Sequence, residues 1–447
     1  MNICVIIKKD DYNFNIRGNI MNSREMLEYI NQGELDCALE RIYGEDALSY
    51  QRSRYAAAVD EFDRIYGDGR EVAIYSVSGR SELSGNHTDH NRGCVIAASI
   101  DLDIIAVAAA REDSVIRVKS EGFPEDCVNF AEYSAPDASK YGTSASIIAG
   151  MCAGFLKDGY AIGGFDAYTT SNVLKGSGLS SSAAFEDMIG NILNHTYNHG
   201  AVDNIEIAKL AQYAENEFFG KPCGLMDQVA CAAGGIVAID FENPTAPVID
   251  KLDFDISGAG YNLCIVNTGG NHADLTDDYA SVPAEMKEVA HLLGAEVLRE
   301  VDEGNIIASI PALREKVGDR AILRSLHFFE ENRRVATQKQ ALIDGRLDDF
   351  FAGVLASGRS SFCYLQNVYT NKNLEEQGLS LALCLAEIYL SDKRGAWRVH
   401  GGGFAGTIQA FVHADDAEGF RALMDSAFGE GRCIVLKIRP YGAIKVI

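Results

Sequence analysis

Positive charge is what this sequence lacks most: 40 Lys and Arg stand against 64 Asp and Glu, a formal net charge of −24. A surface this negative repels phosphate backbones and anionic headgroups. It excludes a protein that grips long nucleic acid or an acidic membrane over its whole surface. It does not exclude a small anion held in a local pocket. Long hydrophobic runs are missing too, the stretch from Ile147 to Leu156 being far short of a bilayer span. Proline is sparse, at eight residues, so no Pro-rich linker separates parts of the chain. No C-x-x-C pair occurs among the eleven cysteines, whose number is odd and whose positions are dispersed. Four of them, Cys152, Cys223, Cys231 and Cys264, sit among apolar or glycine-rich neighbours. That pattern predicts reduced, mostly buried thiols. The apolar patch at residues 1–7 gives way at once to Lys8, Lys9 and Asp10, too short a core for a signal peptide. These absences together predict a cytoplasmic protein with neither membrane nor nucleic acid as partner.

What is present is ordinary for a globular chain: 447 residues, 47% apolar and 23% charged, a length for two domains. Polar-faced helices are predicted over 24–31, 33–43 and 49–66. Strand patterns at 72–77 and 94–110 flank a polar, turn-like stretch at 79–93, and Asp101 and Asp103 interrupt the second of them. A helix of small residues follows at 144–156. Residues 165–173 alternate as a half-buried strand does. Helices are predicted at 179–194 and 205–218, the second capped by Asp203 or Asn204. Strands are predicted at 236–241 and 262–267. Long helical patterns then dominate, at 285–299, 319–347 and 375–390, before strands return at 397–400, 407–412 and 434–438. Strands and helices are mixed without strict alternation. The expected fold is therefore α+β, mixed β-sheets with helices packed on them. Asn243-Pro244-Thr245-Ala246-Pro247 marks a domain break at 240–248.

Four segments carry chemistry. In the first, Leu174-Lys175-Gly176-Ser177-Gly178-Leu179 leads from a strand into Ser180-Ser181-Ser182 at the start of a helix. Glycines let a ligand approach the backbone, and the first helical N–H groups and the helix dipole attract an anion. The three hydroxyls add donors and a means of binding Mg²⁺. No Gly-Lys-Ser/Thr follows, so this is not a Walker A loop. A capped helix after a glycine turn is the plainer reading; three serines after two glycines favour phosphate.

The second segment, 78–91, packs eleven hydrogen-bonding side chains into fourteen residues, more than a turn needs. Sugar recognition needs such density, because each desolvated hydroxyl must find a partner. A metal at His87, Asp89 and His90 is the competing reading. The third segment places Asp227 among Leu225, Met226 and Val229, downstream of Ala214-Glu215-Asn216. An acid in apolar company is a cap or a functional group with partners, and Arg80 and Glu215 are the candidates. In the fourth, Gly401, Gly403 and Gly406 satisfy G-x-G-x-x-G, but a strand pattern follows rather than a helix. A dinucleotide site is excluded, which leaves a glycine hairpin close to a ligand or to another loop.

In this order the four segments resemble the galactokinase branch of the GHMP small-molecule kinases. Gly79-Arg80-Ser81-Glu82-Leu83-Ser84-Gly85-Asn86-His87-Thr88-Asp89-His90-Asn91 is similar to the family's sugar signature. Residues 174–183 are similar to its phosphate loop, with Leu174 where proline is usual. Cys223-Gly224-Leu225-Met226-Asp227-Gln228 and residues 401–406 match two further motifs, and Asn267-Thr268-Gly269 with His272 and Tyr279 a fifth. The matches begin near residue 60. The resemblance thus implies a helical N-terminal extension at 1–55, a first domain at 56–243 and a second at 244–447. The active site is expected in the cleft between those two domains.

It also implies ATP-dependent phosphorylation of a sugar's anomeric hydroxyl, with a silent sugar sensor on the same fold as the alternative. Asp227 would orient or deprotonate the hydroxyl and Arg80 would stabilise the transferring phosphoryl group. Arg80, Asn86, His87, Asp89, Gly224, Asp227 and Tyr279 would meet the sugar. Gly176, Ser177, Gly178, Leu179, Ser180, Ser181 and Ser182 would hold ATP, with Ser182 and Glu215 on Mg²⁺. A monomer or small homo-oligomer is expected. Asn86 stands where the family has glutamate and Glu82 where it has asparagine, His90 replaces tyrosine and His400 threonine. These departures leave galacturonate and N-acetylgalactosamine open beside galactose. Trp397 is expected to pack rather than to support an adenine.

Overall fold

The computed structural model describes residues 21–447 apart from 134, 174–177, 222 and 270–274 and the side chain of Thr276. The first twenty residues of the expected extension therefore lie outside the described residues. The strands are β1 (Met21–Asn22), β2 (Glu71–Ser84), β3 (Cys94–Ala110), β4 (Val115–Ser120), β5 (Glu125–Asn129), β6 (Phe165–Ser171), β7 (Ile236–Asp240), β8 (Val248–Leu252), β9 (Tyr261–Asn267), β10 (Gly395–Val399), β11 (Thr407–His413), β12 (Cys433–Leu436) and β13 (Ala443–Lys445). The helices are α1 (Ser23–Asn31), α2 (Asp36–Tyr43), α3 (Leu48–Tyr66), α4 (Ser144–Lys157), α5 (Ser181–Tyr197), α6 (Asn204–Tyr213), α7 (Met226–Ala233), α8 (Thr276–Leu292), α9 (Glu303–Lys316), α10 (Gly318–Ile343), α11 (Leu347–Ser360), α12 (Gly378–Leu390) and α13 (Ala414–Phe428).

A large sheet runs in the order β1–β2–β3–β6–β4–β5, with β13 added to β2 and the β7–β8 hairpin to β3. Its pairs are antiparallel except β4 on β6. The period of two explains why β2 and β3 read as near-continuous apolar runs. Tyr75, Val77, Ala106 and Ala108 face one core, under α4 to α7. Ile74, Ile105, Val107 and Ala109 face another, built with Met26, Leu39, Tyr55 and Phe62 of α1, α2 and α3. The N-terminal helices thus bury the sheet's second face. The second sheet, β10–β11–β9–β12, alternates likewise. Leu263, Ile265 and Phe411 join the main core, while Cys264, Val266, Ala410 and Val412 pack beneath α12 and α13. Trp397 packs at the margin of that layer.

Asp103 does not break β3, because its charge is met from three sides. Arg54 of α3 donates at 2.6 Å and Arg439 at 2.9 Å, and the Tyr43 hydroxyl at 2.5 Å. The polar stretch at 79–93 remains strand as far as Ser84, with bulges between Ser78 and Arg80 and between Glu82 and Ser84. A bulge re-aims side chains, and polar residues here line a site rather than a turn. The helical pattern at 319–347 divides where Gly345 takes φ +71°, giving α10 and α11. Periodicity missed β4, β5, β8, α9 and α13, elements that are short or weakly patterned. The segment 240–248 is the turn between β7 and β8, both in the first sheet, and β13 returns to that sheet from the far end of the chain.

Candidate functional site

Three chain segments meet at Asp227. It lies in the first turn of α7, where the helix dipole favours a carboxylate. Arg80, on β2 just past the first bulge, donates from Nε to Asp227 Oδ1 at 2.8 Å. Ser180 Oγ donates to Asp227 Oδ2 at 2.6 Å. Burial alone would push this carboxyl up, but Arg80 and Ser180 outweigh it and hold the group below its ordinary value. Ser180 caps α5 in the left-handed region, at φ +58°, a conformation that costs energy outside glycine and aims the hydroxyl at Asp227. Arg80 is buried, and its Nη1 donates to Gly178 O. Gly79 lets this approach happen: a Cβ there would lie 2.9 Å from Leu179 O. Gly178, Leu179 and Ser180 are therefore brought to Arg80 and Asp227, with Ser181 and Ser182 following in the first turn of α5, whereas Gly176 and Ser177 lie outside the described residues, as does His272.

A second carboxylate group stands next to this one. Gln228 Nε2 donates both to Glu215 Oε2, at 2.9 Å, and to Glu186 Oε2, at 3.0 Å. Lys221 lies 3.1 Å from Glu215 Oε1. Burial and the neighbouring Glu215 push Glu186 up to about 8. Glu186 follows Ser182 by four residues on α5, on the same helical face. Two buried carboxyl groups share one amide, with a hydroxyl one turn away; Lys221 offsets the charge of Glu215, and Glu186 becomes fully anionic at pH 7 only when a cation displaces its proton. Such a set fits Mg²⁺. Glu186 was missed from the sequence; its signal was the i, i+4 spacing from Ser182.

The sugar-signature residues divide into two groups. Asp89 lies beside Gly224, where a Cβ would come within 2.8 Å of Asp89 Oδ2. A cavity of about 240 Å³ is lined there by Asp89, His90, Gly224, Leu225 and Phe241. The others reach the glycine loop instead. Asn86 is fully buried: its Nδ2 donates to Gly401 O at 2.7 Å and Glu82 Oε1 at 3.2 Å, and its Oδ1 accepts from Asn367 and Ser361. An amide has two donors and two acceptor sites, so this one is saturated by protein. His87 Nε2 bonds Gly402 O at 2.9 Å, and the Tyr279 hydroxyl donates to Gly403 O at 2.9 Å. Burial and the nearby His90 lower His87 to about 4, so its ring is neutral at pH 7. His400 sits on Ser81 at 3.1 Å, and a Cβ on Gly178 would meet its ring at 3.4 Å.

Buried ion pairs lie beneath these loops. Arg398 Nη2 meets Glu82 Oε1 at 2.8 Å. Glu331 of α10 accepts from Gly85 N at 3.2 Å and pairs with Arg334, and His327 Nε2 bonds Asn86 O at 3.0 Å. Nothing in the sequence near Glu331, His327 or Asn367 announces this role, since each works at a distance of hundreds of residues.

Comparison with known proteins agrees with the geometry. Residues 60–110 match the galactokinase galactose-binding signature, and residues 146–235 the GHMP kinases N terminal domain. The chain is 31% identical to a galactokinase of Enterococcus faecalis over 377 residues, 81% of this chain and 91% of that one. It is 28% identical to a galactokinase of Streptomyces coelicolor over 375 residues, 83% and 92% of the two chains. Among solved structures, Lactococcus lactis galactokinase complexed with galactose superposes with a TM-score of 0.73 at 25% identity, covering 88% of this chain and 100% of that one. A mevalonate kinase at 14% identity shares the fold, with a TM-score of 0.58, covering 82% of this chain and 99% of that one. On the strength of the site's geometry and of relatives matched over most of their length, this chain belongs to the galactokinase family of GHMP kinases.

Proposed function

We propose that this protein is a galactokinase, transferring the terminal phosphoryl group of ATP to the anomeric hydroxyl of galactose. The observation that carries the proposal is the Asp227 carboxylate, held ionised between Arg80 and Ser180 at the start of α7. On this reading the hydroxyl proton passes to Asp227 as the sugar oxygen bonds to the γ-phosphorus and the bond to ADP breaks. Arg80 stabilises the charge that spreads over the transferring group. Residues 178–182 receive the phosphates, with backbone N–H groups and hydroxyls taking the place of a basic surface. Ser182, Glu186 and Glu215 would hold Mg²⁺, which when bound neutralises charge on the phosphates. Asp89 and Gly224 form the sugar side of the site, and residues 401–406 bond the neighbouring Asn86 and His87. Asn86, His87 and Tyr279 act by fixing that glycine loop.

The charges favour a neutral sugar. Arg398 and Arg334, the guanidinium groups built into the Asn86 network, are already paired with Glu82 and Glu331. A carboxylated sugar would find no free cation there among the described residues. Retention of Arg80, Glu215 and Asp227 favours an enzyme over a silent sensor. No helix among the described residues is long and apolar enough to cross a membrane, consistent with the proposed cytoplasmic location.

The test is an ADP-release screen over galactose, N-acetylgalactosamine, galacturonate, glucose and arabinose. Release with galactose is expected. Release with galacturonate alone would overturn the sugar assignment, and none with any sugar would overturn the enzyme.

A further inference from the structure

One helix of this protein is apolar on two faces. α12 buries Leu379, Ala382, Ala386 and Leu390 against the second sheet. Its opposite side is no more polar: Leu381 is 52% and Ile388 65% exposed, with exposed Cys384 between them. Leu374, just ahead of the helix, is 62% exposed. Spacings of three, four and seven residues put 381, 384, 385 and 388 in one stripe. The only charge on the helix is Glu387. A helix apolar all round is ordinarily covered all round, and an exposed apolar stripe marks an interaction surface.

We propose that a second copy of this chain covers the stripe, by antiparallel two-fold packing of α12 on α12. The surface is its own complement, as an isologous contact requires. A two-fold axis passing between Cys384 and Leu385 sets Leu381 opposite Ile388 of the second copy. The same operation carries the exposed pair Glu375 and Glu376 toward Arg394 and Lys393 of the second copy. Arg394 is 54% exposed and its partner within the chain, Asp348, is 73% exposed. Such a surface pair is worth little and exchanges readily. An anionic membrane is the poorer occupant, because Glu375, Glu376 and Glu387 border the stripe and would face its headgroups.

Area sets the strength. At these exposures the stripe offers roughly 400 Å² per copy, about 800 Å² for the pair, below the span of stable complexes. The dimer is therefore weak, with a dissociation constant on the order of 10–100 µM.

Sedimentation velocity of the full chain from about 1 to about 500 µM tests this directly. The wild type is expected to pass from monomer to dimer. Leu381→Glu with Ile388→Glu is expected to stay monomeric while phosphorylating galactose at the wild-type rate, since neither residue belongs to the site. Glu375→Arg with Glu376→Arg is expected to weaken the dimer about tenfold, and adding Lys393→Glu with Arg394→Glu to restore it. With Cys4, Cys37, Cys127 and Cys363 replaced by Ser, mild oxidation is expected to link two chains covalently through Cys384 and to fail once Cys384→Ser is added. A wild type that is monomeric throughout, or a dimer that survives Leu381→Glu with Ile388→Glu, would overturn the interface. Failure of the charge exchange to restore association, or cross-linking that persists in Cys384→Ser, would overturn the antiparallel geometry.

Discussion

Arg80 Nε and Asp227 Oδ1 lie 2.8 Å apart, with Arg80 Nη2 2.7 Å from the same oxygen, although 147 residues separate them in the chain. The buried guanidinium answers a partly exposed negative charge and keeps it ionised, which makes the two residues one chemical unit.

Asp227→Asn should reduce turnover by about 10³-fold or more, the scale of a lost general base, while calorimetric ATP affinity stays within a few-fold of wild type. Near-wild-type ADP release in this variant would remove Asp227 from the chemistry.

Arg80→Ala should lower kcat more than it raises KM for ATP, and should also move a pH limb. In the wild type the Asp227 carboxyl is held below its ordinary value, so the acid limb of kcat/KM falls below the usual carboxylate range. Without Arg80, only Ser180 and Lys221 oppose burial, and the limb moves to higher pH. The sign for stability follows: a depressed folded value contributes stability present above the unfolded pKa and lost as pH falls through the folded one. A pH–rate profile of both proteins checks the shift, and an unmoved limb would assign it to another group.

Glu186 behaves in the opposite sense. Burial and Glu215 raise it to about 8 from an ordinary 4.5. The raised value costs stability progressively as pH rises from the unfolded pKa to the folded one. Glu186→Gln should therefore melt above wild type without metal, and its advantage should grow between pH 5 and 8. Mg²⁺ should stabilise the wild type more than the variant. Equal Mg²⁺ effects on the two melting curves would take Glu186 out of the metal site.

Glu82 and Asn86 should behave as an exchangeable pair. Glu82 supplies the charge that Arg398 needs, and Asn86 donates to it at 3.2 Å. Asn86→Glu places two carboxyl groups together, and Glu82→Asn leaves Arg398 buried without an anion, each at about 3–5 kcal/mol. The double exchange should recover most of that loss in urea unfolding. If the two losses simply add, the residues are independent.

Asp103→Ala would strand two buried arginines, Arg54 and Arg439, and should cost about 3–5 kcal/mol. Because Asp103 joins α2 and α3 to β3 and the C-terminal tail, limited proteolysis should then release the N-terminal helices first. Proteolysis at the wild-type rate would show that those helices hold by apolar contact alone.

The sequence by itself determined the local chemistry. Glycines next to serines, an acid among apolar residues and a dense polar stretch are properties of neighbours in the chain, and they marked residues 79–91, 174–182, 223–228 and 401–406 before any contact was known. Alternation in β6 and the apolar runs of β2 and β3 were legible for the same reason. Only the tertiary structure decided what those residues do for one another. It spent Asn86, His87 and Tyr279 on the glycine loop, recruited Glu186 beside Glu215, and set Asp103 between two guanidinium groups that turn an apparent strand breaker into a clasp. Whether a buried charge is a fault or a function depends on the partner that meets it. Those partners, Arg80 for Asp227 and Arg398 for Glu82, come from chain segments that only folding brings together.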